Sequence, residues 1–206
     1  MIGLLIVLAG IAGLILVGEY LRRVHLFQAE VTRKFIHITV AAFAATWPFF
    51  LEWNQIYLIS MLLLAGNLLT RFSGLFMAIH GVRRRTWGEI FYAVGIGMTA
   101  LLSQNEWSFA AAMLVMGVSD GLAALVGTLV DDLRRYRVLG HLKSVGGTLT
   151  FFFATLIILL VCVSAGHLPA SFLTILGLAV AATIAENVSV GGTDNLVVPL
   201  IIVLIL

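Results

Sequence analysis

The sequence predicts an all-α membrane protein, a bundle of seven to eight transmembrane helices that forms one integral-membrane catalytic domain over residues 1–206. Of the 206 residues, 61% are hydrophobic and only 11% are charged, whereas soluble domains carry about a quarter charged residues. The apolar residues form long unbroken runs, which indicate membrane helices and not the alternating strands of a barrel. These features exclude a soluble enzyme and a nucleic-acid-binding domain.

Eight apolar runs are the candidate helices, because backbone exposed to lipid has to satisfy its own hydrogen bonds. A helix needs about 20 residues to cross the hydrocarbon core, so the short last run is the weakest candidate for a full span. The runs cover residues 2–18, 35–51, 56–70, 90–103, 107–130, 145–164, 171–185 and 195–206.

The twelve Lys and Arg residues fix the expected orientation. The positive-inside rule predicts that basic connections are cytoplasmic, which leaves the N-terminus extracytoplasmic. By alternation, the acidic connection 186–194 is cytoplasmic as well. We expect most of these cations, Arg134 and Arg135 among them, to contact lipid headgroups. The basic residues lie in the connections after runs one, three and five: Arg22, Arg23, Arg33, Lys34, Arg71, Arg83, Arg84, Arg85, Arg134, Arg135, Arg137 and Lys143.

Four ionisable residues, Glu30, Arg33, Lys34 and His37, share one helical face at the start of the second run. They are either paired among themselves while the cations reach headgroups, or they form a cationic face for phosphates. The first interpretation accounts least well for His37, which lies one turn inside the apolar run.

The fourth run is preceded by Arg85, Thr86 and Glu89. Thr86 and Glu89 have the spacing of a capping box, which by itself explains both residues. Within this run, Gly95 and Gly97 are interpreted as helix-packing glycines, because no strand precedes them.

Asp120 lies inside the fifth run, where a carboxylate needs an arginine, a metal or a proton as its partner. A functional role is favoured over a structural salt bridge. The small-residue pairs Gly117/Gly121 and Ala123/Gly127 predict close helix packing. We expect that packing to bring Asp120 close to the connection 186–195.

Donors for an anion lie at the start of the sixth run, in Lys143, Ser144, Gly146, Gly147 and Thr148. Backbone N–H groups and the helix dipole at a helix N-terminus favour negative charge, and a lysine adds to this effect. The alternative is a capped helix start. His141, next to this segment, is assigned no role.

Two carboxylates, Glu186 and Asp194, flank a glycine pair in a connection that holds no basic residue. Mg²⁺ held by one or two carboxylates and by substrate phosphates would explain this composition. A solvated loop is the alternative.

Together, the cations, the anion-binding segment and the carboxylates are typical of a site for phosphoryl or nucleotidyl transfer. A site among apolar helices suits a lipid acceptor.

Five segments, in this order, resemble the polyprenol kinase family, which includes dolichol kinase, phytol kinase and CTP-dependent diacylglycerol kinase and is more distantly similar to CDP-diacylglycerol synthase. The likeness covers residues 30–200. The segments are Glu30-x-x-Arg33-Lys34-x-x-His37, Thr86-Trp87-Gly88-Glu89-Ile90, Asp120-Gly121-x-Ala123-Ala124-x-x-Gly127, Lys143-Ser144-x-Gly146-Gly147-Thr148 and Asp194-Asn195-Leu196-x-x-Pro199-Leu200.

The resemblance implies a multi-pass kinase that uses CTP and Mg²⁺ to phosphorylate a lipid alcohol on the cytoplasmic side. It implies Asp120, Lys143 and Asp194 as catalytic residues and Asp120, Glu186 and Asp194 as metal ligands. Family members often carry an acidic residue near the position of Gly146, which this chain lacks. The implied nucleotide-binding residues are Arg33, Lys34, His37, Arg85, Glu89, Ser144, Gly146, Gly147, Thr148 and Asn195.

Two other functions stay open at this point. A membrane cytidylyltransferase would use the same nucleotide and metal but attack the α-phosphate. A small transporter would also bury charges in glycine-broken helices, although the two halves of the chain show no repeat. The lipid alcohol, the general base and the oligomeric state, monomer or homodimer, are not determined by the sequence.

Overall fold

The computed structural model describes residues 2–24, 29–73, 87–130, 134–166 and 168–206. Helices dominate these residues, and one small antiparallel sheet accompanies them. In chain order the elements are α1 Ile2–Arg23, α2 Ala29–Ala44, a 3₁₀ turn Trp47–Phe49, α3 Trp53–Ser73, α4 Gly88–Leu102, α5 Glu106–Leu114, a π-helical segment Val115–Ser119, α6 Asp120–Leu129, β1 Arg135–Val138, β2 His141–Ser144, α7 Val145–Ala165, α8 Phe172–Val188 and α9 Asp194–Val203.

Each of the eight apolar runs contains a helix, as predicted. Three helical stretches are long and apolar enough to cross a membrane: Ile2–Arg23, Glu106–Leu129 and Val145–Ala165. Three apolar helices of the described chain, α4, α8 and α9, are shorter. The chain is a membrane protein, and the number of spans and their orientation stay predictions.

The all-α prediction is wrong for one connection, because a β-hairpin joins α6 to α7. Strands β1 and β2 pair antiparallel from Arg135 opposite Ser144 to Val138 opposite His141. Leu139 and Gly140 make the turn with φ angles of 46° and 83°. Left-handed backbone at both turn positions matches the twist of a two-residue hairpin, and glycine adopts it without strain.

The core forms around the rod made of α5, the π-helical segment and α6. Helices α2, α7 and α9 all pack against this rod, and Phe109, Met113 and Met116 within it are almost fully buried. Because α9 lies beside α4 as well as the rod, the acidic connection that precedes α9 is brought to the end of the bundle where α4 begins.

Small residues permit the closest helix contacts, as predicted. A Cβ on Gly95 would lie 2.2 Å from the Asn195 carbonyl oxygen, so α4 and α9 touch through backbone. Gly117 and Gly121 face Ala41 and Ile38 of α2. This pair therefore packs against α2 and not against the connection 186–195.

Candidate active site

A cavity of about 970 Å³, here called the polar cavity, lies between α2, the hairpin and the facing ends of α6, α7, α8 and α9. Residues from five separate segments of the sequence meet there. The predicted site residues that line it are Arg33, Lys34, Asp120, Lys143, Ser144, Gly147, Thr148, Glu186, Asp194 and Asn195.

The other predicted residues lie elsewhere. His37 and Glu89 line a smaller adjoining pocket. Gly146 is in the first turn of α7, where its carbonyl accepts a hydrogen bond from the Thr150 hydroxyl, and it does not line either cavity. Arg85 falls outside the described residues.

Asp120 is held by two residues of α2. Lys34 Nζ lies 2.5 Å from Asp120 Oδ2, and His37 Nε2 lies 3.2 Å from the same oxygen. Lys34 and Asp120 are buried, so the charge of each residue is stabilised by the opposite charge of the other. The π-helical segment that ends at Ser119 precedes the carboxylate; such single π turns occur frequently at functional sites.

Lys143 is held by Glu186 on α8. Lys143 forms an ion pair with the Glu186 carboxylate and donates a hydrogen bond of 3.1 Å to the Glu186 main-chain oxygen. The interpretation of Glu186 as a loop residue without a basic partner is therefore wrong. Glu186 lies in the last turn of a helix, and strand β2 brings the lysine to it.

The glycine-containing start of α7 is a capped helix start. Ser144 Oγ accepts a hydrogen bond of 3.0 Å from the Gly147 N–H. A Cβ on Gly147 would lie 2.9 Å from the Ala123 carbonyl oxygen, so glycine lets α6 and α7 approach closely. The cap uses only the Gly147 N–H group of this helix start. Anion binding by this segment stays a prediction.

The connection before α9 is held by hydrogen bonds to main-chain carbonyl groups. Gly191 and Gly192 have φ angles of 68° and 96°, which glycine adopts most readily. The Trp87 N–H donates to the Gly191 carbonyl at 2.9 Å, and the Asn195 side-chain amide donates to the Gly88 carbonyl at 2.9 Å.

Asp194 begins α9 and is the least engaged of the three predicted metal ligands. Within the described chain, no hydrogen bond or ion pair reaches its carboxylate, although it interacts electrostatically with Asp120, Lys34, His37 and Lys143. No group of three His, Cys, Asp or Glu side chains with metal-binding geometry occurs among the described residues.

Comparison with known proteins decides the family. The chain is 35% identical over 203 residues to a phytol kinase of Synechocystis sp., an alignment that covers 92% of this chain and 84% of the relative. The chain belongs to the polyprenol kinase family. It is therefore a kinase, and a transporter function is set aside. No family model matches the chain, and no solved structure matches it.

The hairpin of this family member contributes two cavity residues that sequence analysis missed. Arg135 was assigned to headgroup contact and His141 to no role, yet both line the polar cavity. The Tyr136 hydroxyl donates to Asn187 Oδ1 at 2.5 Å and also contacts the Thr148 hydroxyl. The hairpin is therefore anchored to α7 and α8. Arg135 and His141 reach the cavity through the strand pairing, which places Tyr136 opposite Lys143 and involves strands too short to give a clear sequence signal.

Glu89 pairs with a residue of another helix, and the capping box that it would form with Thr86 stays a prediction. Its carboxylate forms an ion pair with Arg71 of α3, and the Arg71 guanidinium lies 4.3 Å from the centre of the Trp87 ring. Trp87 precedes α4 without a side-chain capping hydrogen bond, and Thr86 lies outside the described residues. Glu89 thus joins α3 to α4.

Proposed function

We propose that this kinase transfers the γ-phosphate of CTP, with Mg²⁺, to the hydroxyl of a membrane lipid alcohol: a polyprenol, a phytol-type isoprenoid alcohol or diacylglycerol. The observation that carries the proposal is the polar cavity, where cations of α2 and the hairpin meet the carboxylates Asp120, Glu186 and Asp194. The relative named phytol kinase supports a lipid alcohol as the acceptor. The choice of CTP rests on the family resemblance.

Several cations that could bind the phosphates of a nucleoside triphosphate line the cavity. Lys143 and Arg135 lie on the hairpin, and Arg33 and Lys34 lie on α2 across from it. Phosphoryl transfer requires positioning and charge stabilisation more than covalent chemistry by the protein. We assign Lys143, Arg33 and Arg135 to the phosphate oxygens, while Lys34 holds Asp120.

The donor set also suits Mg²⁺. This ion is usually bound by one or two carboxylates together with substrate phosphates, and Asp194 is a carboxylate of the cavity with no ion pair among the described residues. We assign the metal to Asp194, with Glu186 beside it. The bound ion would offset phosphate charge.

We further propose that the chain crosses the membrane seven to eight times and that the polar cavity faces the cytoplasm. The basic hairpin and the end of α2 with Arg33 and Lys34 border this cavity. The positive-inside rule places such connections on the cytoplasmic side, where nucleotides are available. The apolar helices would hold the acceptor in the bilayer.

The test is an assay of the purified full-length protein with CTP or ATP, Mg²⁺ and a panel of phytol, polyprenol and diacylglycerol in mixed micelles. The proposal expects a phosphorylated alcohol and CDP as products. Pyrophosphate together with a CDP-lipid would instead indicate a cytidylyltransferase. Asp194→Asn should nearly abolish turnover and raise the Mg²⁺ concentration needed for half-maximal residual activity.

A further inference from the structure

A second, smaller cavity adjoins the polar cavity. It has a volume of about 90 Å³, and we call it the apolar groove. Part of its lining consists of aliphatic side chains of three helices: Ile11 and Ile15 of α1, Ile36 and Val40 of α2, and Leu63 of α3. Within each of the first two pairs the residues are one helical turn apart and therefore lie on one face.

The rest of the lining of the apolar groove is mostly polar, and part of it is shared with the polar cavity. Arg33, Gly88 and Asn195 line both spaces. His37 and Glu89 also line the groove. An amphiphile with a single polar head group would therefore place its head next to the phosphate-binding cavity and its carbon chain among the aliphatic residues.

His37 and Asp120 form a pair across this boundary. Asp120 lines the polar cavity, whereas His37 lines the groove. His37 Nε2 lies 3.2 Å from Asp120 Oδ2 and 3.2 Å from the Met116 carbonyl oxygen. Both oxygens are acceptors, so Nε2 carries a hydrogen, and in the neutral imidazole the lone pair is on Nδ1.

The ring of His37 is also held in place. The Tyr92 ring packs against it with 4.9 Å between the ring centres, and the Tyr92 hydroxyl donates to the His37 carbonyl at 3.4 Å. An imidazole fixed by a carboxylate on one nitrogen and left with a lone pair on the other has the arrangement of a general base and its positioning residue.

We propose that the apolar groove binds the lipid alcohol by its first carbons and that His37 Nδ1 accepts the proton of its hydroxyl. This inference rests on the proposed lipid-alcohol kinase function and adds to it the acceptor subsite and the base. Asp120 is then the positioning residue of His37.

The alcohol oxygen forms a bond to the γ-phosphorus of the nucleotide, and the bond from that phosphorus to the oxygen bridging the β- and γ-phosphates breaks. The nucleoside diphosphate leaves with the bonding electron pair. The hydroxyl proton moves to His37 Nδ1, from which it is later released to solvent.

A matched pair of substitutions on α3 tests the groove. Leu63 lines the groove, whereas its neighbour Leu62 is exposed. Leu63→Phe should raise the KM for phytol at least tenfold and leave the KM for CTP within twofold, because it fills the groove. Leu62→Phe should change neither constant.

The groove assignment fails if the two variants raise the KM for phytol equally, or if Leu63→Phe raises the KM for CTP to the same extent. A wild-type protein that phosphorylates no lipid alcohol would instead contradict the proposed function. The two failures are therefore distinguishable in one experiment.

Substitution of His37 tests the base. General bases contribute typically 10²–10⁴-fold, so His37→Gln should lower kcat by at least about a hundredfold while CTP binding, measured by equilibrium dialysis, stays within twofold. The loss should be smaller with a β-fluorinated phytol analogue, because its more acidic hydroxyl depends less on a base.

A purely structural role for His37 predicts a different result. In that case His37→Gln would weaken CTP binding, or the loss of kcat would be the same for phytol and its fluorinated analogue. Either result would overturn the assignment of His37.

Discussion

Each of the two cavity lysines is paired with a carboxylate that lies far away in the sequence. Lys34 is separated from Asp120 by 86 residues, and Lys143 from Glu186 by 43. Taking a charge out of water is costly, and the loss of one partner leaves the other charge buried and uncompensated. The function of these residues is therefore tied to the stability of the fold, and single substitutions affect both.

The pair between Lys34 and Asp120 allows the two effects to be separated. Asp120→Asn should lower the free energy of unfolding by about 3–5 kcal/mol, because Lys34 is left without its counter-charge. The double variant Lys34→Met/Asp120→Leu should recover most of that stability but no activity. Melting temperatures and kinase assays in the same detergent provide the measurement. Recovery of activity in the double variant would contradict a role for Asp120 in catalysis.

The hairpin offers a test of phosphate binding by a single lysine. Lys143→Ala should raise the KM for CTP roughly tenfold to a hundredfold, since hydrogen bonds to charged groups contribute about 1.5–3 kcal/mol. Arg134→Ala is the control, because Arg134 is exposed and does not line the polar cavity. Steady-state kinetics at fixed phytol concentration measure both constants. Equal losses in the two variants would indicate a general effect of surface charge.

The sequence predicted which single residues have a special role better than it predicted the residues with which they pair. An aspartate within an apolar run needs a partner wherever the helix packs, so Asp120 was recognisable. Its partner Lys34 was not, because that choice depends on how α2 lies against the π-helical segment. Arg135 and His141 were missed because their position follows from the pairing of β1 with β2.

Among the secondary-structure elements, the helices could be predicted from the sequence and the hairpin could not. A long apolar run specifies a membrane helix by composition alone. The hairpin has strands of four residues with charged and apolar side chains mixed, and so short a pattern carries little signal. It is nevertheless the element that supplies Lys143, Arg135 and His141 to the polar cavity.

Two glycine substitutions compare a close contact with an open position. Gly95→Ala should destabilise the protein by about 1–3 kcal/mol, because the new Cβ would meet the Asn195 carbonyl oxygen at 2.2 Å. Gly177→Ala in α8 meets no atom within 4 Å and should be neutral or slightly stabilising. Thermal unfolding compares the two. Similar melting temperatures for both variants would contradict the close contact of α4 with α9.

For the whole molecule, the main result of folding is that the polar residues of distant connections meet at the same end of a bundle of apolar helices. The hairpin, the connection 186–194 and the first turns of α2 all border the polar cavity. Alternation of spans predicted that these connections share one side. The polar cavity and the adjoining apolar groove are formed by the way in which the helices pack, which composition does not specify.

Cysteine labelling tests the orientation, with the polar cavity facing the cytoplasm, that nucleotide access requires. In a Cys162→Ala background, Arg134→Cys should react only with reagents that reach the cytoplasm, and Gln104→Cys only with reagents outside. Both positions are exposed, and they lie at the two ends of the stretch Glu106–Leu129. Labelling of both from the same side would show that this stretch does not cross the membrane.

The ion pair between Lys143 and Glu186 also has a thermodynamic consequence. A phosphate that binds Lys143 has to compete with Glu186, and a cation that binds Glu186 has to compete with Lys143. Each ligand therefore removes the competitor of the other, so the two bind cooperatively. Because such coupling is reciprocal, Mg²⁺ should tighten nucleotide binding by the same factor by which the nucleotide tightens Mg²⁺ binding, and Glu186→Gln should reduce both factors together.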